Sequence, residues 1–314
     1  MKHFCFKIGI FISLIVVLFL LANRYTAKYI KEPVHYGRQF DEVINKTFNA
    51  DGIIIGTSHG AHSFRPTLLD STGIRFYNFC LNGSNPSYYL KWYESFFSKE
   101  YADPKYIIYA LDFFAFDQNY CNREFEDDSK YIPNSLFWEY IGSPSKFQVR
   151  KLLLNRYPII GSIKKLKLQG KDTDITYPPS EYDRGYIPLY FPYKPSNFKP
   201  DISPATLVTL TSKMEDFEKL IKIIQARGIK LIFVMPPNYG ISKNEYLSCS
   251  SIKYLNSVSG KYKIPFLNFD TELWSPLNED INNFSDWGHL NRTGSAKFNK
   301  ILQEKLPPII NNSL

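Results

Sequence analysis

The first two dozen residues constrain this chain more than any other stretch. Lys2 and Lys7 precede Ile8–Ala22, an uncharged run of fifteen residues broken by Gly9 and Ser13. Phe4, Cys5 and Phe6 lie ahead of Lys7, whose stem can run along apolar surface while its charge reaches the interface. The apolar stretch therefore approaches the ~17–25 residues of a spanning helix. A buried core helix would alternate with a polar face, and this segment has none. A cleaved signal peptide would need a small-x-small site, but Leu21 and Ala22 run into Asn23 and Arg24. The reading is an uncleaved anchor over residues 1–24, a juxtamembrane linker over 25–50 and a folded domain over 51–314.

Orientation does not follow from charge alone. Arg24, Lys28, Lys31 and Arg38 outnumber Lys2 and Lys7, so a positive-inside count does not favour export.

The remaining residues suffice for a large core: the 314-residue chain is 44% hydrophobic and 17% aromatic, which excludes a fully disordered protein. The net charge of +8 is spread along the sequence, with Lys164, Lys165 and Lys167 as the tightest cluster. No nucleic-acid reader module accompanies it, whereas a basic surface also suits an anionic membrane or envelope polymer. Cys5, Cys80, Cys121 and Cys249 share no metal-ligand spacing. A Cys121–Cys249 disulfide and buried thiols both fit them.

Past the linker, which carries an amphipathic piece near 40–48, short apolar runs alternate with helical patterns. Gly52–Ile55, Ile74–Phe79 and Tyr106–Leu111 read as strands. A helix from Asn85-Pro86 to about Ser98 carries Tyr89, Trp92, Tyr93 and Phe96 as its apolar stripe. Nine prolines and many aromatics then break the rhythm over residues 116–200, apart from a helical pattern at Ser145–Tyr157. Such an aromatic-rich insertion suits a lid beside a substrate surface, with exposed rings such as Tyr186 and Tyr190, or a small packing subdomain. Regularity returns with a helix from Pro204 to Ala226, a strand at Ile229–Met235, a helix at Asn244–Gly260, a strand at Ile264–Asn268 and a terminal helix at Thr293–Lys305. The order predicts an α/β fold with a parallel central sheet. Gly56, Gly60 and Gly73 do not make a dinucleotide fingerprint.

Two local patterns carry chemistry. Gly56-Thr57-Ser58-His59-Gly60 follows the first strand directly, so Ser58 would stand at the carboxyl edge of the sheet, where open α/β folds bind ligands. Asp286-Trp287-Gly288-His289 precedes the last helix. A serine hydroxyl needs a base in hydrogen-bond reach. His289 could supply it while Asp286 orients the other ring nitrogen. The bland alternatives are a turn capped by Asp286 and an ordinary half-buried His289. The glycine–serine string also fits the Gly-x-Ser-x-Gly elbow, but the element order argues against a standard α/β-hydrolase. No carboxylate or cysteine joins His59, His62 and His289 in a metal-binding spacing, so neither a metal nor another cofactor is expected.

Together these residues resemble the SGNH (GDSL-like) hydrolase superfamily, and more narrowly its membrane-anchored, extracytoplasmic relatives that handle acyl groups on envelope polymers. The resemblance covers about Asp51–Leu111 and Ile229–Leu306. It implies an SGNH-like three-layer fold, a nucleophile at Ser58, and a closing Asp286 and His289. It also implies oxyanion donors at Ser58 and Gly83, the latter in Asn78-Phe79-Cys80-Leu81-Asn82-Gly83-Ser84. Thr57 replaces the usual aspartate before the serine. Ala110-Leu111-Asp112-Phe113 replaces the usual Gly-x-Asn-Asp, and an ionised aspartate cannot donate to an oxyanion. Asp112 must then point elsewhere, with Asn82 or Asn85 as the substitute donor. His59 would line the acyl or leaving-group pocket. Arg65 would bind an anionic substrate group or pair with Asp70.

The implied activity is acyl-ester hydrolysis or O-acyl transfer on an envelope glycan or related polymer. The resemblance also implies the membrane and an acylation-complex subunit as partners, and a single-pass topology with the C-terminal domain outside the cytoplasm. The alternative is a non-catalytic polysaccharide-binding or assembly protein that retains the fold, with the altered Asp112 block as its support.

Overall fold

The computed structural model describes residues 2–29, 34–44, 47–97, 103–157, 183–191, 204–273 and 276–311. The Lys164–Lys167 cluster and most of the irregular stretch at 176–200 lie outside them. In chain order the elements are α1 (Lys2–Tyr29), α2 (Val34–Ile44), β1 (Gly52–Gly56), α3 (Ser58–Ser63), α4 (Pro66–Leu69), β2 (Phe76–Cys80), α5 (Pro86–Trp92) and β3 (Tyr106–Ala110). There follow α6 (Asn134–Ile141), α7 (Val149–Arg156), α8 (Thr211–Ala226), β4 (Lys230–Met235), α9 (Lys243–Ser248), α10 (Ser250–Tyr262), β5 (Phe266–Asn268), α11 (Pro276–Glu279) and α12 (Arg292–Asn311).

The chain divides into two compact units. The first comprises Met1–Ile44 and Glu126–Thr176, the second Asn45–Phe125 and Tyr177–Leu314. Within the first, α1 includes a 23-residue segment, His3–Tyr25, long and apolar enough to cross a membrane. At ~1.5 Å per residue it spans about 34 Å, against a hydrocarbon core of about 30 Å. Its large apolar side chains from Phe4 to Leu21 are mostly exposed. Phe40 of α2 stacks on Tyr131 at 4.2 Å. The Arg156 guanidinium at the end of α7 donates to the Ser129 carbonyl at 2.8 Å and the Lys130 carbonyl at 3.1 Å.

The second unit is a three-layer α/β fold around a five-stranded parallel sheet of order β2-β1-β3-β4-β5. Its three leading strands are buried along their whole length, as expected of parallel strands covered on both faces. Three consecutive isoleucines make β1, because β-branched side chains suit a pleated, packed surface. Helix α5 packs with α8, and α12 packs on α3 and α4. The strand order reverses between β1 and β3, so the crevice at their carboxyl ends is the topological switch point.

Several boundaries move from their sequence positions. The amphipathic piece is α2, at Val34–Ile44, earlier than 40–48. Asn85 caps α5, whose α-geometry stops at Trp92 and continues as a π-turn over Tyr93–Phe97. The expected Pro204–Ala226 helix is a 3-10 turn at Pro204–Thr206 followed by α8. The Asn244–Gly260 helix is split at Cys249, whose extended backbone separates α9 from α10. The insertion is divided as well, since residues 126–176 cluster with the N-terminal helices. All four cysteines are free thiols, so the Cys121–Cys249 disulfide does not form.

Candidate active site

Ser58 opens α3 immediately after β1. Gly56, at the end of that strand, has φ +149°, and a β-carbon there would overlap the Ala110 carbonyl on β3. Only glycine fits this approach. One turn on, a β-carbon at Gly60 would lie 2.5 Å from the Cys80 Sγ and 2.6 Å from the Ala110 Cβ. The two glycines thus let α3 rest directly on the strand ends. Thr57 is the N-cap, its hydroxyl accepting from the His59 amide at 3.3 Å.

The turn before α12 brings in the second half. Asp286 Oδ1 accepts from the Gly288 and His289 amides at 3.0 and 2.9 Å, an aspartate turn that fixes the loop locally. Both carboxylate oxygens lie 2.8 Å from His289 Nδ1. With Nδ1 donating to Asp286, Nε2 is left as the acceptor, and it lies 2.8 Å from Ser58 Oγ. The loop is pinned from outside: the Tyr239 amide donates to the Trp287 carbonyl at 2.7 Å, and Asn291 donates to the Asn282 and Phe284 carbonyls at 2.7 and 3.1 Å. Burial acts to raise the Asp286 pKa, but the hydrogen bond and charge of His289 hold it down at about 2.

Asp112, at the end of β3, is fully buried. One oxygen accepts from the Thr57 hydroxyl, and the other lies 2.8 Å from His59 Nδ1. It therefore points elsewhere, as one sequence alternative required, and presents no carboxylate to a developing oxyanion.

Asn85 is not a substitute donor. Its oxygen caps α5, and its amide donates to the Cys121 and Arg123 carbonyls at 2.5 and 3.1 Å. Asn82 is exposed, its carbonyl accepting from Arg123 at 3.2 Å. Gly83 sits at φ +69°, in a loop drawn to β1 because the Gly56 carbonyl accepts from the Leu81 amide at 2.9 Å and the Ser84 hydroxyl at 2.7 Å.

The two residues expected to bind substrate are placed differently. His59 is 2% exposed and edge-on to Phe114, Trp287 and His289. Its ring is therefore a buried wedge and does not line an open pocket. Arg65 approaches Asp183 at 3.8 Å and covers the Tyr186 ring at 5.4 Å. The expected Arg65–Asp70 pair is replaced by Arg184–Asp70, at 2.7 Å. Tyr186 is buried at 4% exposure, so of the two rings expected at the surface only Tyr190, at 38%, is there.

Sequence reasoning placed the aromatic insertion beside the site but missed how it is held there, and it missed Asp270. The strap 183–191 lies along the site: the Ile187 amide donates to the Ala61 carbonyl at 3.0 Å, and His62 Nδ1 donates to the Ile187 carbonyl at 2.7 Å. Burial, reinforced by repulsion from His289, lowers the His62 pKa to about 3, so its ring is neutral. Asp270 accepts from the backbone and side-chain amides of Asn238 at 2.8 and 2.7 Å. Burial nevertheless lifts its pKa to about 7. Asp270 follows the Leu267-Asn268-Phe269 strand end, the one sequence signal that could have marked it. No cluster of His, Cys, Asp and Glu able to hold a metal occurs among the described residues.

No protein-family model matches this sequence. No curated protein matches it either. Among solved structures it is similar to a candidate acylhydrolase from Bacteroides fragilis NCTC 9343, at 11% identity and TM-score 0.39, over 82% of this chain and 86% of that one. It is also similar to a GDSL-like lipase from Bacteroides thetaiotaomicron VPI-5482, at 10% identity and TM-score 0.38, over 90% of this chain and 100% of that one.

Proposed function

We propose that the chain is a serine-dependent acyl-ester hydrolase or O-acyltransferase. The observation that carries this reading is the continuous contact from Asp286 through His289 to Ser58 Oγ, with 2.8 Å at each step. In this mechanism Ser58 Oγ attacks the ester carbonyl as its proton passes to His289 Nε2. Asp286, ionised throughout the neutral range, stabilises the imidazolium. Backbone amides at Ser58 and Gly83 serve as oxyanion donors. The ester C–O bond then breaks, the alcohol leaves with the proton from His289, and Ser58 carries the acyl group. His289 next deprotonates an incoming water or sugar hydroxyl, whose attack frees the serine. Water gives an esterase, and a polyol hydroxyl gives a transferase.

An acylated envelope glycan or polymer is the substrate class that suits a catalytic domain tethered through α1. A membrane acylation complex would be its partner as a transferase, with the domain outside the cytoplasm. Turnover of a small acetyl ester and of acetylated glycan fragments by full-length protein in detergent tests the reading. Ser58→Ala should abolish turnover, and His289→Ala should lower kcat/KM by about 10²–10⁴, with circular dichroism unchanged. A folded Ser58→Ala variant as active as wild type would refute it.

A further inference from the structure

Ser58 is flanked in sequence by the two residues that grip Asp112. Thr57 donates its hydroxyl to one carboxylate oxygen, and His59 Nδ1 meets the other at 2.8 Å. The opposite side of the same imidazole, Nε2 and Cε1, lies against Gly288, the residue before His289. The His59 and His289 ring centroids are 4.6 Å apart at an interplanar angle of 76°. His59 thus fills the space between the turn that carries the nucleophile and the turn that carries the base. Resting on the proposed serine mechanism, we infer that His59, held by Asp112, is a positioning residue that sets the distance between Ser58 Oγ and His289 Nε2.

Three observations support the role. His59 is 2% exposed and Asp112 is 0% exposed, and they meet in a 2.8 Å polar approach without hydrogen-bond alignment, so a rotamer change at either would separate two buried polar groups, which is costly. Burial works against a charge on His59, but the Asp112 carboxylate outweighs it and raises the pKa. Electrostatic attraction and close contact thus act in the same direction between the two side chains. Gly288 has no side chain to compete for the space, so the ring reaches the base turn directly. A buried pair that served only the core would not need to touch both turns.

The test uses full-length protein in detergent, with kcat and KM for a small acetyl ester expressed per site titrated with a fluorophosphonate. His59→Ala should lower kcat by about a hundredfold, the cost of a small misplacement of reacting groups, while KM stays within about twofold. His59→Asn, whose amide can replace Nδ1 as the donor to Asp112, should recover about tenfold of that loss, since one restored contact returns part of the positioning. If the alanine variant does not fold, the His59→Gln/Asp112→Asn double variant keeps a buried donor and acceptor for folding but lacks the ring that meets Gly288, and a fall in its kcat of about tenfold or more supports the role. Wild-type kcat in folded His59→Ala, or in the double variant where alanine does not fold, overturns it. The two levels separate through Ser58→Ala: if that variant keeps turning over ester, the nucleophile assignment fails and the inference with it. If it is inactive while the His59 variants match wild type, only the positioning role fails.

Discussion

Gly288 lies against the Nε2 edge of His59 so closely that a β-carbon at position 288 would overlap the ring. A backbone segment of the 286–289 loop and a side chain of α3 thus share one packed contact, which a side chain at residue 288 would crowd. Gly288→Ala should displace either the ring or the loop. Overpacking of this kind costs about 1–3 kcal/mol. The expected outcome is a lower denaturation midpoint together with a lower kcat. Unchanged values for both would show that the contact yields freely.

Gly56 sets the other half of the geometry. Its φ of +149° and the overlap of any β-carbon with the Ala110 carbonyl leave no conformation in which alanine fits. Backbone strain alone costs about 1–3 kcal/mol, and here a neighbouring strand must also move. Gly56→Ala should lose more stability than Gly228→Ala. Gly228 also has a positive φ, of +73°, but nothing near its β-position. Urea titration of the two variants measures the difference.

Much of this arrangement was legible in the sequence because its causes are local. Three isoleucines between glycines mark β1, and an aspartate three residues before a histidine is enough to build the Asp286–His289 turn. What stayed hidden depends on residues distant in sequence. Asp112 looked like a fault in the oxyanion block because its partners, Thr57 and His59, lie more than fifty positions away. The same distance hid the burial of His59. The strap at 183–191 belongs to the aromatic insertion expected beside the site, but its path stayed hidden because its backbone hydrogen bonds go to Ala61, Asn78 and Arg292, in elements that its own composition does not specify. The break at Cys249 escaped notice for a different reason: α9 and α10 carry compatible apolar periods, and the capping box of Ser242 and Glu245 governs only the first of them.

His62 gives a prediction in pH. Its folded pKa is lowered to about 3 from an ordinary 6.5, so between those values the unfolded chain binds a proton that the folded protein refuses. The contribution is fully present above about pH 6.5 and is lost as pH falls towards 3, at up to about 1.4 kcal/mol per pH unit. Asp270, raised to about 7, acts in the opposite sense: its contribution is present below the ordinary aspartate range and lost as pH rises through 7. The comparison is therefore between wild type and His62→Asn, which keeps a donor for the Ile187 carbonyl. Between pH 6.5 and pH 5 the stability gap should move by about 1.6 kcal/mol in favour of the variant. Parallel urea midpoints for the two proteins across that range would remove His62 from the acid response.

The apolar helix predicts where the protein partitions. Carbonate-washed membranes should retain the full chain, and intact mass should include the residues of α1, as an uncleaved anchor requires. Protease added to intact cells or spheroplasts should digest the C-terminal domain while sparing a cytoplasmic control. A mature protein that begins after residue 22 would identify a removed signal sequence.

Reaction of Ser58 with a fluorophosphonate tests the central claim most directly, since the probe bonds to a serine whose hydroxyl has a base in place. Wild-type protein at neutral pH should gain the mass of a single adduct, and peptide mapping should place it on Ser58. Folded His289→Ala should react about 10²–10⁴ times more slowly. Adduct formation at another residue, or at Ser58 with the same rate in the His289→Ala variant, would contradict the account.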